Sequence, residues 1–170
     1  MLPIYLIHHT LMLLKLINQY SLIVIVLAIA PLVTYLIWSL SSIKWAVVAT
    51  ILFLLLSVGL FYIVRSSPDE VDIQDFQNSI TSGEPVLLVI QSDFCIACLS
   101  AQPSIDKLAH ELSSHFQVLR VNTRSVLAKY LRDMYSWEFV PTFILFDKHG
   151  NEAWRQTGKV PSADTLLSMR

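Results

Sequence analysis

The chain has 170 residues, 54% of them hydrophobic and 15% charged, with a mean hydropathy of +0.56. Residues 1–66 hold three charged side chains (Lys15, Lys44 and Arg65) and no acid, whereas residues 67–170 carry nine Lys/Arg against thirteen Asp/Glu, a net charge of −4. A soluble domain carries roughly 25% charged residues, so this partition excludes a single soluble globule and a disordered chain; the absence of a basic surface argues against nucleic acid as a partner.

In chain order, residues 1–20 form an apolar segment interrupted by His8, His9 and Lys15, and are expected to lie as a helix in a membrane interface. Adjacent histidines on a helix point about 100° apart, so His8-His9 does not read as a metal site. Ser21–Leu40 has no charge, and residues 43–64 contain only Lys44 near one end. Each is about as long as the roughly 20 apolar residues that cross a bilayer. Tyr20, Trp38, Trp45 and Tyr62 stand near the ends, where aromatic belts form. With only Ser41-Ser42 between them, the two helices are expected to form an antiparallel transmembrane hairpin, kinked at Pro31. Ala28-Ile29-Ala30 resembles a signal cleavage site, but the apolar run continues past it to Leu40, which argues against cleavage.

Residues 65–68 read as a linker and residues 69–170 as one domain. A helix is expected over residues 69–82, closed by Gly83, then a doubly buried strand over residues 86–90. A long helix over residues 95–113 follows, with Ile105, Leu108, Ala109 and Leu112 on its apolar side. Residues 116–121 read as a strand and residues 124–135 as a helix. Thr142–Phe146 and Glu152–Thr157 then make a hairpin around the turn-forming Asp147-Lys148-His149-Gly150-Asn151, and Ser162 caps a last short helix. The fold class is α/β.

The two cysteines, Cys95 and Cys98, form a Cys-x-x-Cys at a strand-to-helix junction. The unpaired amides and positive dipole end of a helix stabilise a thiolate there, so Cys95 is expected to be the attacking sulfur and Cys98, one turn later, the resolving one. Zinc usually requires four ligands, and His110 and His115 lie several turns further along. A disulfide bridging so few residues removes little chain entropy, which argues against a purely structural pair. Val140-Pro141-Thr142 precedes the strand beginning at Thr142 and adds a second landmark.

Residues 69–170 resemble the thioredoxin family on four landmarks in the family's order. These are the aromatic-Cys-x-x-Cys of Phe94-Cys95-Ile96-Ala97-Cys98, Pro103 in the long helix, the Val140-Pro141-Thr142 segment, and Gly158 after the last strand. The resemblance implies a thioredoxin fold, a central mixed sheet flanked by helices, preceded here by the transmembrane hairpin. It implies thiol–disulfide exchange with protein substrates, with no cofactor and no metal. It implies a cis peptide before Pro141, and Phe94, Ile96, Ala97, Val140, Pro141, Thr142 and Gly158 as substrate-binding surface. Two departures are visible. Val89 stands where thioredoxins carry a buried acid, leaving the Cys98 proton without an evident acceptor. The Ile96-Ala97 dipeptide is closer to that of the terminal domain of membrane thiol–disulfide interchange reductases than to the Gly-Pro of cytosolic thioredoxins. Asp93 reads as a solvated loop charge.

With no cysteine in residues 1–66, the helices cannot relay electrons, so a separate redox partner is expected to recharge the pair. The expectation is a membrane-tethered oxidoreductase, a reductase rather than a strong oxidant. Counting Lys15 and Arg65 against Lys44 places the tail in the cytoplasm; the resemblance favours the extracytoplasmic face, and the expectation is outward. Two alternatives stay open: a non-enzymatic thioredoxin-fold assembly module, and a copper-handling protein using both thiolates with His110 or His115.

Overall fold

The computed structural model describes residues 2–40, 43–65 and 71–169. The Ser41-Ser42 turn, the linker after Arg65 and the acids Asp69 and Glu70 lie outside the described residues, as do the side chains of His8, Trp45 and Arg65.

Three helices open the chain: α1 (Leu2–Gln19), α2 (Ser21–Leu40) and α3 (Ile43–Arg65). Helix α2 has the expected bounds and runs through Pro31; α3 packs against it. The sharp change of direction is earlier than Pro31: His9–Gln19 and Ser21–Leu36 meet at an angle of 84° across Tyr20. Among the described residues no single helix is long and apolar enough to cross a membrane. That bent pair meets the requirement jointly, and Val47–Gly59 is a shorter apolar helix. The stretches expected to span are therefore present as a packed helical pair, without being shown to cross a bilayer.

The C-terminal domain begins at α4 (Ile73–Ile80), whose N-cap Asp72 accepts from the Ile73 N–H at 2.7 Å. This helix ends at Ile80, within the expected span of 69–82, of which residues 69 and 70 lie outside the described residues. The elements β1 (Val86–Gln91), α5 (Ile96–Leu112), β2 (Gln117–Asn122), α6 (Val126–Tyr135), β3 (Thr142–Phe146), β4 (Glu152–Thr157) and α7 (Ala163–Leu167) follow in the expected order. The sheet order is β2-β1-β3-β4. Strand β1 is parallel to β2 and antiparallel to β3, and β3 is antiparallel to β4.

Alternation along β1 sorts the core into two layers, since successive side chains in a strand face opposite ways. Val86, Leu88 and Ile90 pack with Phe76 of α4, Leu127 and Leu131 of α6, and both cysteines. Leu87 and Val89 pack with Ile105, Leu108 and Leu112 of α5 and Leu166 of α7. All five of these β1 side chains are fully buried, which is why a run of consecutive apolar residues suits this strand. The mixed sheet places the end of β1, the start of α5 and the start of β3 side by side.

Candidate active site

Strand β1 ends at Gln91, and Ser92-Asp93-Phe94 turn the chain into α5. Cys95 is the N-cap of that helix: its backbone is extended (φ −94°, ψ 114°) and its Sγ accepts from the Cys98 N–H at 3.2 Å. The sulfur thus takes the place a Ser or Asp oxygen usually fills, at the positive end of a 17-residue helix. Both thiols are free and buried, with Cys95 at 0% and Cys98 at 1% exposure.

The pair is electrostatically split. The Cys95 thiol is pulled from 9.0 to about 7, chiefly by the Cys98 thiol donating to its sulfur; burial opposes this, and the Cys98 and Ala97 amides add to it. Cys98 is pushed far above the ordinary thiol range, first because it is the donor in that bond and then by burial. Near neutral pH these shifts favour the thiolate form at Cys95 and keep the proton on Cys98. Val89 is buried with the apolar side chains beneath α5, so no carboxylate stands at its position.

The Val140–Pro141 peptide is cis, and the Val140 carbonyl lies 3.8 Å from Cys95 Sγ. This loop is held from within. The Gly158 N–H donates to the Pro141 carbonyl at 2.8 Å, from a residue at φ +86°, a left-handed backbone that favours glycine. Thr142 Oγ1 donates to the Phe139 carbonyl at 2.6 Å and meets Thr157 Oγ1 at 2.9 Å. Cys95, Cys98, Val140, Pro141, Thr142 and Gly158, far apart in sequence, are therefore assembled at one end of the sheet. Ile96 and Ala97 are exposed on the first turn of α5.

Phe94 and Asp93 are placed differently from an exposed recognition residue and a solvated charge. Phe94 is only 4% exposed, stacked on Tyr20 with centroids 6.1 Å apart and packed against the Arg124 guanidinium at 4.9 Å. The Asp93 side chain is 11% exposed and pairs with Arg124 at 3.1 Å. Among the described residues no group of three or more His, Cys, Asp or Glu is placed to hold a metal ion. His110, twelve positions beyond Cys98 on α5, stands about 18 Å along the helix axis at 1.5 Å per residue.

The α1–α2 elbow is the feature that reading from the sequence missed. Asn18 Oδ1 accepts from the Val140 N–H at 2.8 Å and its Nδ2 donates to the Val140 carbonyl at 3.0 Å. Ser92 Oγ donates to the Gln19 carbonyl at 2.9 Å. Ser21 Oγ accepts from the Ile96 N–H at 2.9 Å, and the Leu22 N–H donates to the Phe94 carbonyl at 3.0 Å. Lys15 pairs with Glu138. The available signal was the polar run Asn18-Gln19-Tyr20-Ser21, the break in an otherwise apolar stretch.

The model of the thioredoxin-like domain matches residues 74–169. The thioredoxin-like protein HCF164, chloroplastic, of rice (Oryza sativa subsp. japonica) is 23% identical over 112 residues, covering 62% of this chain and 43% of that protein. The chain thus spans under half the length of that relative. Among solved structures, the germline-specific thioredoxin Deadhead of Drosophila melanogaster aligns at TM-score 0.48 and 17% identity, over 61% of this chain and 95% of its own. Fasciola hepatica thioredoxin aligns at 0.49 and 17%, over 57% and 93%. With more than half of its residues matched by the family's own model, and the Cys-x-x-Cys set beside a cis-proline loop, the chain belongs to the thioredoxin-like family.

Proposed function

We propose that this protein is a membrane-tethered thiol–disulfide oxidoreductase that reduces disulfides in protein substrates. The observation that carries the reading is Cys95 Sγ capping the start of α5, accepting from the Cys98 N–H beside the cis-Pro141 loop; this setting lowers the Cys95 thiol to about 7 and raises Cys98. The Cys95 thiolate attacks one sulfur of a substrate disulfide; that S–S bond breaks, a mixed disulfide forms, and the first substrate sulfur leaves as a thiolate. Cys98 then loses its proton to solvent and attacks Cys95 Sγ, releasing the second substrate thiolate. The substrate gains two electrons from the pair, its two thiolates take their protons from solvent, and Cys95–Cys98 becomes a disulfide. A separate dithiol partner returns the two electrons. The absence of cysteine from residues 1–66 supports that external recharge.

Tethering rests on the outward apolar faces of α2 and α3, where Leu27, Leu32, Leu55 and Leu56 are each more than half exposed. Burying such surface in lipid removes it from water. A tether of this kind suits a domain held at the extracytoplasmic face, acting beside its recharging partner.

A second reading, a binding module without exchange chemistry, is favoured by the complete burial of Cys95 and by Val89 in the acid's place. Insulin reduction by the full-length chain in detergent separates the two. The oxidoreductase reading expects turnover that Cys95→Ser abolishes; a binding module shows none in either form.

A further inference from the structure

We propose that the α1–α2 elbow, residues 18–22, is a built-in competitor for the substrate strand: the Asn18 carboxamide occupies the Val140 backbone edge and shuts the site until the elbow lifts. The inference rests on the exchange chemistry proposed above and adds the gate that such chemistry requires here.

The Asn18 side chain is an amide, and it bonds to both the N–H and the carbonyl of one residue. That two-point pairing is how one residue of an extended chain pairs with another across an antiparallel ladder. The edge it occupies is next to the nucleophile, because the same Val140 carbonyl faces Cys95 Sγ at 3.8 Å. A disulfide-bearing segment laid along Val140 would pass the sulfur; Asn18 takes that place.

The neighbouring contacts fit a docked strap. The Ile96 N–H, one of the first amides of α5 and without an acceptor inside the helix, is satisfied by Ser21 Oγ. The Leu22 N–H, on the second residue of α2, is satisfied by the Phe94 carbonyl. Each helix start therefore caps the other, on the residues that flank Cys95. Tyr20 covers Phe94, and Lys15 with Glu138 adds an ion pair beyond the site. Thiol exchange requires a third sulfur to approach Cys95, whose exposure is 0%. An exchanging enzyme with this resting geometry has to open, and the elbow is the part held by side-chain and end-of-helix bonds rather than by the sheet.

The test is the rate of Cys95 alkylation by N-ethylmaleimide in the full-length reduced chain in lipid nanodiscs, with Cys95 and Cys98 adducts separated by mass spectrometry. Asn18→Ala is expected to raise the Cys95 rate about tenfold, the scale of one or two lost hydrogen bonds. Ser21→Ala is expected to act in the same direction. The Cys98 rate should stay unchanged, since general unfolding would expose both thiols. Equal Cys95 rates in wild type and both variants would overturn the strap, as would a parallel rise at Cys98. Alkylation reads access and not exchange. Faster labelling of Asn18→Ala without any insulin reduction keeps the strap and removes the oxidoreductase reading; insulin reduction with unchanged labelling does the reverse.

Discussion

Leucines occur in both parts of this molecule and meet opposite fates. In the C-terminal domain, Leu87 and Leu88 on β1 are 0% exposed, whereas Leu55 and Leu56 on α3 are each 65% exposed. Strand β1 lies between β2 and β3 with helices above and below, so each of its side chains meets a protein neighbour whichever way it points. Beyond its docked start at Ser21-Leu22, the helical pair packs mainly on itself, and its far sides face outward. The difference teaches that the C-terminal domain makes its own apolar interior, whereas α2 and α3 leave apolar surface uncovered, the surface on which the proposed tether rests. The two regions meet at the elbow, over the one group whose chemistry depends on being covered or bare.

Single substitutions break that comparison in a graded way. The largest effect is expected at Leu88, which pairs with Leu119 and Ile144 in the sheet centre. Leu88→Ala should destabilise the domain by about 2–5 kcal/mol, lost transfer energy plus a cavity, seen as a lowered thermal midpoint. Leu54, 57% exposed in the middle of α3, sharpens the contrast. If α3 sits in lipid, Leu54→Arg costs roughly 2.5–3.5 kcal/mol of insertion and shifts the protein out of the carbonate-resistant membrane fraction. If α3 faces water, the change stays within about 0.5 kcal/mol and fractionation is unaltered.

Much of the C-terminal domain was legible because its signals are local. The unbroken run beginning at Val86, the turn chemistry at Asp147–Asn151 and the Ser162 cap each act within a few residues, and each lands where expected. Cys95 and Cys98 were legible for the same reason: their spacing and the helix start are one local motif. What stayed hidden depends on contacts across long stretches of chain. Asp93 is held by Arg124, 31 positions away, and Asn18 by Val140, 122 positions away. No periodicity announces such pairs. Phe94 looked like an exposed recognition residue because its cover, Tyr20 and Arg124, comes from two other elements.

The central claim is that Cys95 is an activated nucleophile because Cys98 donates to its sulfur, and its direct test is the pH profile of Cys95 alkylation in the full-length chain. Below the titration point Cys95 is a slow thiol and above it a fast thiolate, so the rate should rise with pH about a midpoint near 7. Cys98→Ala removes the largest stabilising contact and should move that midpoint upward, toward the ordinary 9.0. A wild-type midpoint already near 9.0, unmoved by Cys98→Ala, would contradict the account.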